Sequence, residues 1–345
     1  MKKNQLRPSE MCTRRIIAFL LLPLVLSGIS AAAMVDELLA LRNRACHAES
    51  SDARIALLEE IAAMQVEGEP ALESITKALA VGLKDDVAAV RLRTAELLGP
   101  KQHPDTVVRV LARATKVELG YWNRAGGKLN AYHTSDKAAK LIRKYWKDAE
   151  NGVPGAVRSR DEYNEVIAKR MKVIVEHASV QEEYITQLAT WSDDRSVAAL
   201  AVMLAEYSDG KLAQSEVVRI CLARSLSAID ALLSLRSQPA LEAVTDSLAS
   251  WTKRTARAHA TLKKMDNAKS GTYGQWEINA ALSNWQELEK HLASVRERVV
   301  EFASANKLAT PPGSAAKKSA WHSWRTKTRQ ELPKSLGSVA VTGKE

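Results

Sequence analysis

Apolar residues recur at spacings of three and four along most of this chain, which is the period of an amphipathic α-helix. One such stripe contains Leu57, Ile61 and Met64, and it ends before the break at 68–70. Glycine and proline together supply only 25 of the 345 residues, so turn formers are scarce. This composition argues against a β-sandwich, a barrel or a disulfide-rich scaffold and predicts an all-α protein.

Parts of one helix–turn–helix unit recur far apart in the sequence. The segment PALESITKALA, which starts at Pro70, matches PALEAVTDSLA, which starts at Pro239. The segment VRLRTAELL, which starts at Val90, matches VRICLARSL, which starts at Val218. The two offsets are 169 and 128 residues. Both are close to whole multiples of about 42 residues, within the period of HEAT repeats.

The stretch 85–98 resembles a repeat of the HEAT family. It has an acidic turn, a Val-Arg pair, a following Ala and a closing Leu-Leu. Matching segments at 70–114 and 193–251 extend the resemblance to about a third of the chain. The resemblance implies an α-solenoid of HEAT-like helical pairs over 34–238, a fold used mostly for protein binding. One pair cannot cover its own apolar faces, so stacked neighbours bury them in a continuous core.

Two glycine-containing stretches interrupt this pattern, GYWNRAGGKLNAYH and ENGVPGAVRSR, and they predict an irregular segment over 119–178. Aromatic residues gather in this segment. They could line the ligand groove of an enzyme with a non-local site, or they could pack irregular helices. The residues are Tyr121, Trp122, Tyr132, His133 and Trp146.

Two long apolar series follow, from Leu241 to Met265 and from Ala281 to Phe302, joined by a short loop with glycine. Their spacing predicts a long antiparallel helical hairpin over 239–306. Each arm of about 26 residues would be about 40 Å long. Two arrangements are open: the hairpin packs on the end of the solenoid, or it projects as an interaction arm.

The formal net charge of +10 belongs to the two ends of the chain. Residues 1–33 contain five basic residues and one acidic residue, and 307–345 contain eight basic and two acidic residues. The body, 34–306, contains 37 of each sign. A neutral body argues against a nucleic-acid-binding protein.

Residues 1–33 have the three parts of a secretory signal peptide. Arg14 and Arg15 precede the apolar run 16–26, and small residues follow up to Ala33. The run is too short to span a bilayer core, which needs about 20 residues. We predict export to the periplasm or the cell exterior with cleavage after Ala33. The alternatives are an uncleaved membrane anchor and a buried helix.

Export gives the two cysteines of the mature chain two interpretations. Cys46 and Cys221 could form one disulfide in an oxidising compartment. Cys221 also lies in the apolar helical stretch 217–226, where a cysteine is commonly buried as a small hydrophobic residue.

The basic segment 307–345 has the composition of a linker and a largely disordered tail. Trp321 and Trp324 could share one face of a short helix that starts at Ser319. The two tryptophans either dock the tail on the end of the solenoid or anchor an anionic partner, such as an envelope polymer or membrane headgroups.

No local signature of catalysis or metal binding occurs in the sequence. The motifs HExxH, GxSxG, GxGxxG and the P-loop are absent. Acidic pairs at 85–86, 182–183 and 193–194 stand at expected helix starts, which favours capping over acid–base catalysis. We therefore predict no catalytic residue, no cofactor and no metal site.

The leading hypothesis is an exported, non-catalytic scaffold that binds a protein partner in the cell envelope. The candidate surface contains the Val-Arg arginines Arg91, Arg109 and Arg219. These arginines could instead hold turns between repeats through acidic partners such as Asp85 or Asp86. The alternatives are a binder of anionic polymer or membrane that acts through the tail, and an envelope enzyme with a non-local site.

Overall fold

The computed structural model describes residues 28–135, 145–209, 215–268, 275–313 and 318–337. These residues form helices and no strand, which confirms the all-α prediction. The α-helices in chain order are α1 (Gly28–His47), α2 (Ser51–Ala63), α3 (Glu69–Leu79), α4 (Ala88–Leu97), α5 (Pro104–Ser135), α6 (Trp146–Glu150), α7 (Pro154–Ala189), α8 (Asp194–Asp209), α9 (Ser215–Ser234), α10 (Gln238–Asp266), α11 (Gln275–Ala305) and α12 (Lys318–Thr328). Short 3₁₀ turns follow α3 at Gly82–Lys84 and α12 at Arg329–Glu331.

Local sequence signals determine where several helices begin. The Ser50 hydroxyl accepts a hydrogen bond from the Ala53 N–H at 3.1 Å before α2, and the Ser237 hydroxyl accepts one from the Ala240 N–H at 3.3 Å before α10. Proline stands in the first turn of α3, α7 and α10. First-turn N–H groups have no acceptor within the helix, so a capping oxygen satisfies them and a proline costs nothing there.

The helices lie in two rows, defined by which helices pack side by side. The first row is α1, α3, α5, α8, α10 and α12, and the second row is α2, α4, α7, α9 and α11; each helix contacts the next one in its row. Contacts between the rows join α1 with α2, α5 with α7, α8 with α9 and α10 with α11. Successive helices of each row therefore pack side by side, and the cross-row contacts join the two rows along the chain.

One hydrophobic core runs between the two rows. It extends from Leu38 in α1 to Leu332 beyond α12, and its largest fully buried apolar side chains are Trp122 of α5 and Trp251 of α10. The apolar stripe predicted around Ile61 faces this core, because Ile61 is completely buried. Burial of the stripes provides the main stabilisation of the stack.

The prediction of an irregular segment over 119–178 is wrong for most of its length. Helix α5 continues through Gly126 and Gly127, and α7 begins at Pro154. A glycine inside a helix costs about 1 kcal/mol relative to alanine, which is less than the gain from burying a residue such as Trp122. A break does occur at Gly152, whose φ of 78° is left-handed.

Helices α10 and α11 pack against each other in opposite directions. The Trp251 ring lies 4.5 Å from the His291 ring, and the His259 ring stacks on Trp285 at 5.0 Å, measured between ring centroids. Both helices also contact α9, and α10 contacts α8. The hairpin therefore packs on the preceding helical pairs, which is the first of the two arrangements considered above.

The segment after α11 is folded against the first row, so the prediction of a largely disordered tail is wrong for 318–337. The Gln238 N–H donates to the Pro333 carbonyl at 2.9 Å, and the Asp194 N–H donates to the Gly337 carbonyl at 3.0 Å. These bonds satisfy first-turn N–H groups of α10 and α8. The tail therefore caps two neighbouring helices of the first row.

The predicted signal peptide lies mainly outside the described residues, which begin at Gly28. Helix α1 starts there, so its first six residues, 28–33, belong to the predicted signal peptide. Among the described helices, none combines the length and the apolar character needed to cross a membrane.

Candidate functional site

Arg91 is completely buried between α4, α5 and α7, where several acceptors surround it. Its Nε donates to Glu118 Oε2 at 2.7 Å, and its Nη1 donates to the backbone carbonyls of Asp85 and Asp86 at 2.8 and 3.1 Å. His177 Nδ1 lies 2.6 Å from Glu118 Oε1. Arg91 therefore holds the turn before α4 against α5 and α7.

The Tyr121 ring covers this buried cluster from one side. The Arg91 guanidinium lies 4.6 Å from the ring centroid, the Arg124 guanidinium lies 4.7 Å from it, and the His177 ring stacks on it at 5.7 Å. A buried charge needs such a set of partners, because an isolated one would lose its hydration without compensation. Arg91 therefore has the structural role given above as the alternative: it holds a turn, here through the backbone carbonyls of Asp85 and Asp86. Because it is completely buried, it is not accessible to a partner protein.

The other two Val-Arg arginines lie in different places. Arg109 Nη2 is half-buried on α5, 3.5 Å from Glu73 and 3.1 Å from the Thr106 hydroxyl. Arg219 is exposed on α9 in the second row, with its Nη2 3.6 Å from Glu287. The predicted surface with all three arginines is therefore wrong, because one is buried and the others belong to opposite rows.

The two tail tryptophans are turned toward the protein. Trp324 is 5% exposed, and its Nε1 donates to the Ala309 carbonyl at 2.6 Å. Trp321 is half-buried, and its ring meets the Trp324 ring edge-on at 5.8 Å. Trp324 fits the docking interpretation. It does not fit the interpretation as an anchor for an anionic partner, because its N–H already donates to Ala309 and its ring is buried.

Cys46 is exposed on α1 and Cys221 is buried in α9, and no disulfide joins them. Burial raises the pKa of the Cys221 thiol to about 11, so this side chain stays protonated at neutral pH. Of the two interpretations, the disulfide does not form, and the buried apolar cysteine describes Cys221.

The acidic pairs take structural roles where the structure describes their contacts. Asp85 Oδ1 accepts from the Val87 N–H at 2.8 Å, and Asp193 Oδ1 accepts from the Arg195 N–H at 2.7 Å. Glu182 forms an ion pair with Arg224. In the described part of the chain, no group of three or more His, Cys, Asp and Glu side chains could hold a metal ion.

The described aromatic side chains of 119–178 lie in four different environments. Tyr121 covers the Arg91 cluster, Trp122 is in the core, and Trp146 is exposed, while the side chain of His133 lies outside the described residues. Tyr132 stacks on Tyr163 at 5.8 Å. A groove of about 530 Å³ opens beside this tyrosine pair, lined also by Tyr145, Asp148, Val153 and Val166. The four described side chains, Tyr121, Trp122, Tyr132 and Trp146, do not converge on one site.

The outer surface of α5, α8 and α10, called here the first-row face, carries basic side chains whose charges are not paired. The exposed residues are Arg113 and Lys116 on α5, and Lys253 and Arg257 on α10. Among the described residues, none of the four has a carboxylate within ion-pair distance. The sides of α5 and α10 that face the second row carry buried residues such as Leu111 and Trp251, so these four side chains lie on the opposite sides of the two helices.

Several carboxylates on the same three helices have partners, while Asp266 near the end of α10 is exposed without an ion pair among the described residues. Asp105 pairs with Arg195 at 2.8 Å, and Glu206 accepts from Asn123 at 2.9 Å. The carboxylates at the start of α10 pair with the tail: Asp246 with Arg325 at 2.6 Å and Glu242 with Arg329 at 3.0 Å.

The outer surface of α2, α4, α7, α9 and α11, called here the second-row face, has several arginines paired with carboxylates of neighbouring helices. Arg93 of α4 bonds Glu59 of α2 at 2.7 Å, and Arg298 of α11 bonds Asp230 of α9 at 2.7 Å. The pair of Arg224 with Glu182 joins α9 to α7. On the first-row face the unpaired cations stand in pairs one helical turn apart, whereas exposed cations of the second-row face without an ion pair among the described residues, such as Lys172 and Lys290, stand singly.

Comparisons with known protein families, with curated proteins and with solved structures found no match for this chain. The geometry of its own residues therefore carries the functional interpretation.

Sequence reasoning missed the four basic residues of the first-row face. The available signal was their spacing outside the apolar stripes: Arg113 and Lys116 are at i and i+3, and Lys253 and Arg257 are at i and i+4. That signal is weak, because most charged residues at helical spacing lie on a solvated face with neighbouring counter-charges.

Proposed function

We propose that the chain is an α-solenoid of HEAT-like helical pairs and acts as an exported, non-catalytic scaffold that binds another protein. The single observation that carries the binding role is that the unpaired cations of the first-row face stand in two pairs, each one helical turn apart. Each of those side chains is exposed and lacks a counter-charge among the described residues, so a partner can supply one. Residues 1–33 are the basis for export.

The order of helix contacts supports the solenoid part of the proposal. Each helix of the two rows packs on its neighbours in the row, and cross-row pairs (α1 with α2, α5 with α7, α8 with α9, α10 with α11) join the rows, as in stacked repeats. Such stacking leaves a long surface on each side, and one of these surfaces provides the binding face.

The role of the tail supports the scaffold over the alternative of a tail that binds membrane or polymer. Trp324 is buried, and two tail arginines pair with Asp246 and Glu242. The groups that would contact an anionic polymer are therefore engaged with α10 in the folded protein.

Site-specific photo-crosslinking in the native cell envelope tests the scaffold. A photoreactive residue replaces Ala198 on α8 of the first row or, as a matched control, Ala223 on α9 of the second row; both alanines are exposed. We expect protein adducts of defined mass from position 198 and none of these adducts from position 223. Equal adducts at both positions, or none at either, would contradict the proposal.

A further inference from the structure

The unpaired cations of the first-row face form two separate pairs. Arg113 and Lys116 lie one helical turn apart on α5, and so do Lys253 and Arg257 on α10. Side chains at this spacing are neighbours on a helix surface. Two like charges held side by side repel each other, so a carboxylate placed between them gains from both.

The tail contributes to this charge pattern. Arg325 and Arg329 neutralise Asp246 and Glu242, the two carboxylates on the outward side of α10 before Lys253. Without those arginines, the two carboxylates would reduce the positive potential around Lys253. The docked tail therefore makes the first-row face more basic, although the body of the chain is neutral.

Helix α8 lies between the two basic pairs and presents short apolar side chains. Its exposed positions include Ala198, Val202 and Ala205, and Val202 is 42% exposed. Neighbouring helices pack 8–10 Å apart, so the distance from α5 to α10 is about 20 Å. An extended chain of about six residues spans that distance.

We infer that the first-row face binds an extended acidic segment of a partner protein. Carboxylates near the two ends of the segment pair with Arg113 and Lys116 on α5 and with Lys253 and Arg257 on α10. An apolar side chain in its middle packs on Val202. This inference rests on the proposed scaffold function and specifies the chemistry of the partner.

A protein segment fits this surface better than a membrane or a polyphosphate. A membrane surface is bound by large apolar residues that insert below the headgroups, whereas the apolar residues between the basic pairs are alanines and Val202. A polyphosphate offers no apolar group to cover Val202.

A titration of the full chain with a labelled peptide tests the inference. The probe is a peptide of about eight residues with two glutamates at each end and leucines in the middle, a length that covers the span between α5 and α10. We expect binding that weakens as salt is added. The double variants Arg113→Glu/Lys116→Glu and Lys253→Glu/Arg257→Glu should each lower the affinity by about tenfold, since each reversal replaces an attraction with a repulsion.

The matched control is Lys172→Glu/Lys290→Glu, which reverses two exposed lysines on α7 and α11 of the second row. We expect this control to change the affinity by less than about twofold. An equal loss in the control, or no binding by the wild-type chain, would overturn the inference. The inference would also be overturned if inorganic polyphosphate, or vesicles with anionic headgroups, bound more tightly than the peptide and if that binding were lost in the same first-row variants.

The outcomes separate the inference from the proposed function. Specific adducts at position 198 together with no peptide binding would leave the scaffold in place and refute the acidic partner. Circular dichroism spectra and thermal melts of each variant show whether it is folded, which we expect because the substituted side chains are exposed.

Discussion

The two rows of helices use their surface charges differently. On the second-row face, arginines pair with carboxylates of the next helix, as Arg93 does with Glu59 and Arg298 does with Asp230. On the first-row face, carboxylates are taken by the tail and by neighbouring helices, and Arg113 and Lys253 stay unpaired. The difference teaches that a body with equal numbers of charges can still carry a basic face, depending on which charges are paired.

The largest effect is expected where Arg91 joins the rows. Glu118→Gln removes the buried carboxylate that compensates Arg91, and it should lower the free energy of unfolding by about 3–5 kcal/mol. Glu59→Gln, which breaks an exposed pair within the second row, should cost less than about 1 kcal/mol. Urea denaturation measures both. Equal costs would show that the buried cluster does not connect the rows as described.

Removal of the tail contact comes next. Trp324→Ala should lower the free energy of unfolding by about 3 kcal/mol, because it removes a large buried side chain. The half-buried Trp321→Ala is the control and should cost about 1 kcal/mol. Thermal unfolding and limited proteolysis of the tail measure the two. A Trp324 variant as stable as wild type would contradict the docking of the tail.

A smaller effect depends on pH and involves both rows. His291 of α11 is buried, its Nε2 is 2.9 Å from the Ser225 hydroxyl of α9, and its ring contacts Trp251 of α10. Burial, together with the charges of Arg298 and Arg254, lowers its pKa to about 3. The unfolded chain binds the proton first, so stability is complete above about pH 6.5 and is lost as the pH falls toward 3.

His291→Gln should remove this dependence. Between pH 7 and pH 5, the wild-type chain should lose about 2 kcal/mol more stability than the variant, measured by urea denaturation at each pH. The same slope in both proteins would show that His291 is not held neutral between the rows.

The smallest effect is expected when an arginine of the second row loses its carboxylate partner. Glu182→Gln leaves Arg224 without its carboxylate and should cost less than about 1 kcal/mol. Affinity for the acidic peptide should rise by at most about threefold, because Arg93 and Arg298 of the same face keep their carboxylates. A gain of tenfold or more would show that a second-row cation can replace the paired cations of the first-row face, so that Val202 of α8 is not needed.

Part of the fold could be predicted because the signals are local. The stripe with Ile61 faces the core, the prolines stand in first turns, and the turn at Asp85 is held by Arg91 through its carbonyl. Spacing along one helix determines which side is apolar, so the sequence alone indicates these features.

The rest depends on contacts between residues far apart in the sequence. Gly126 and Gly127 suggested a break, but packing of α5 against α7 keeps the helix continuous. Whether the negative charge of Asp246 offsets the positive charge of Lys253 depends on Arg325, which neutralises Asp246 from 79 positions away. No local pattern indicates which carboxylate an arginine reaches, so the first-row face became visible only in three dimensions.

The most direct test of the difference between the two faces is the rate at which lysines of the wild-type chain are acetylated, with and without the acidic peptide. Lys116 and Lys253 lie on the first-row face, Lys172 and Lys290 lie on the second-row face, and all four are exposed. We expect the peptide to slow acetylation of Lys116 and Lys253 and to leave Lys172 and Lys290 unchanged, measured by mass spectrometry. Equal protection of all four, or protection of the second-row lysines alone, would contradict the assignment of binding to the first row.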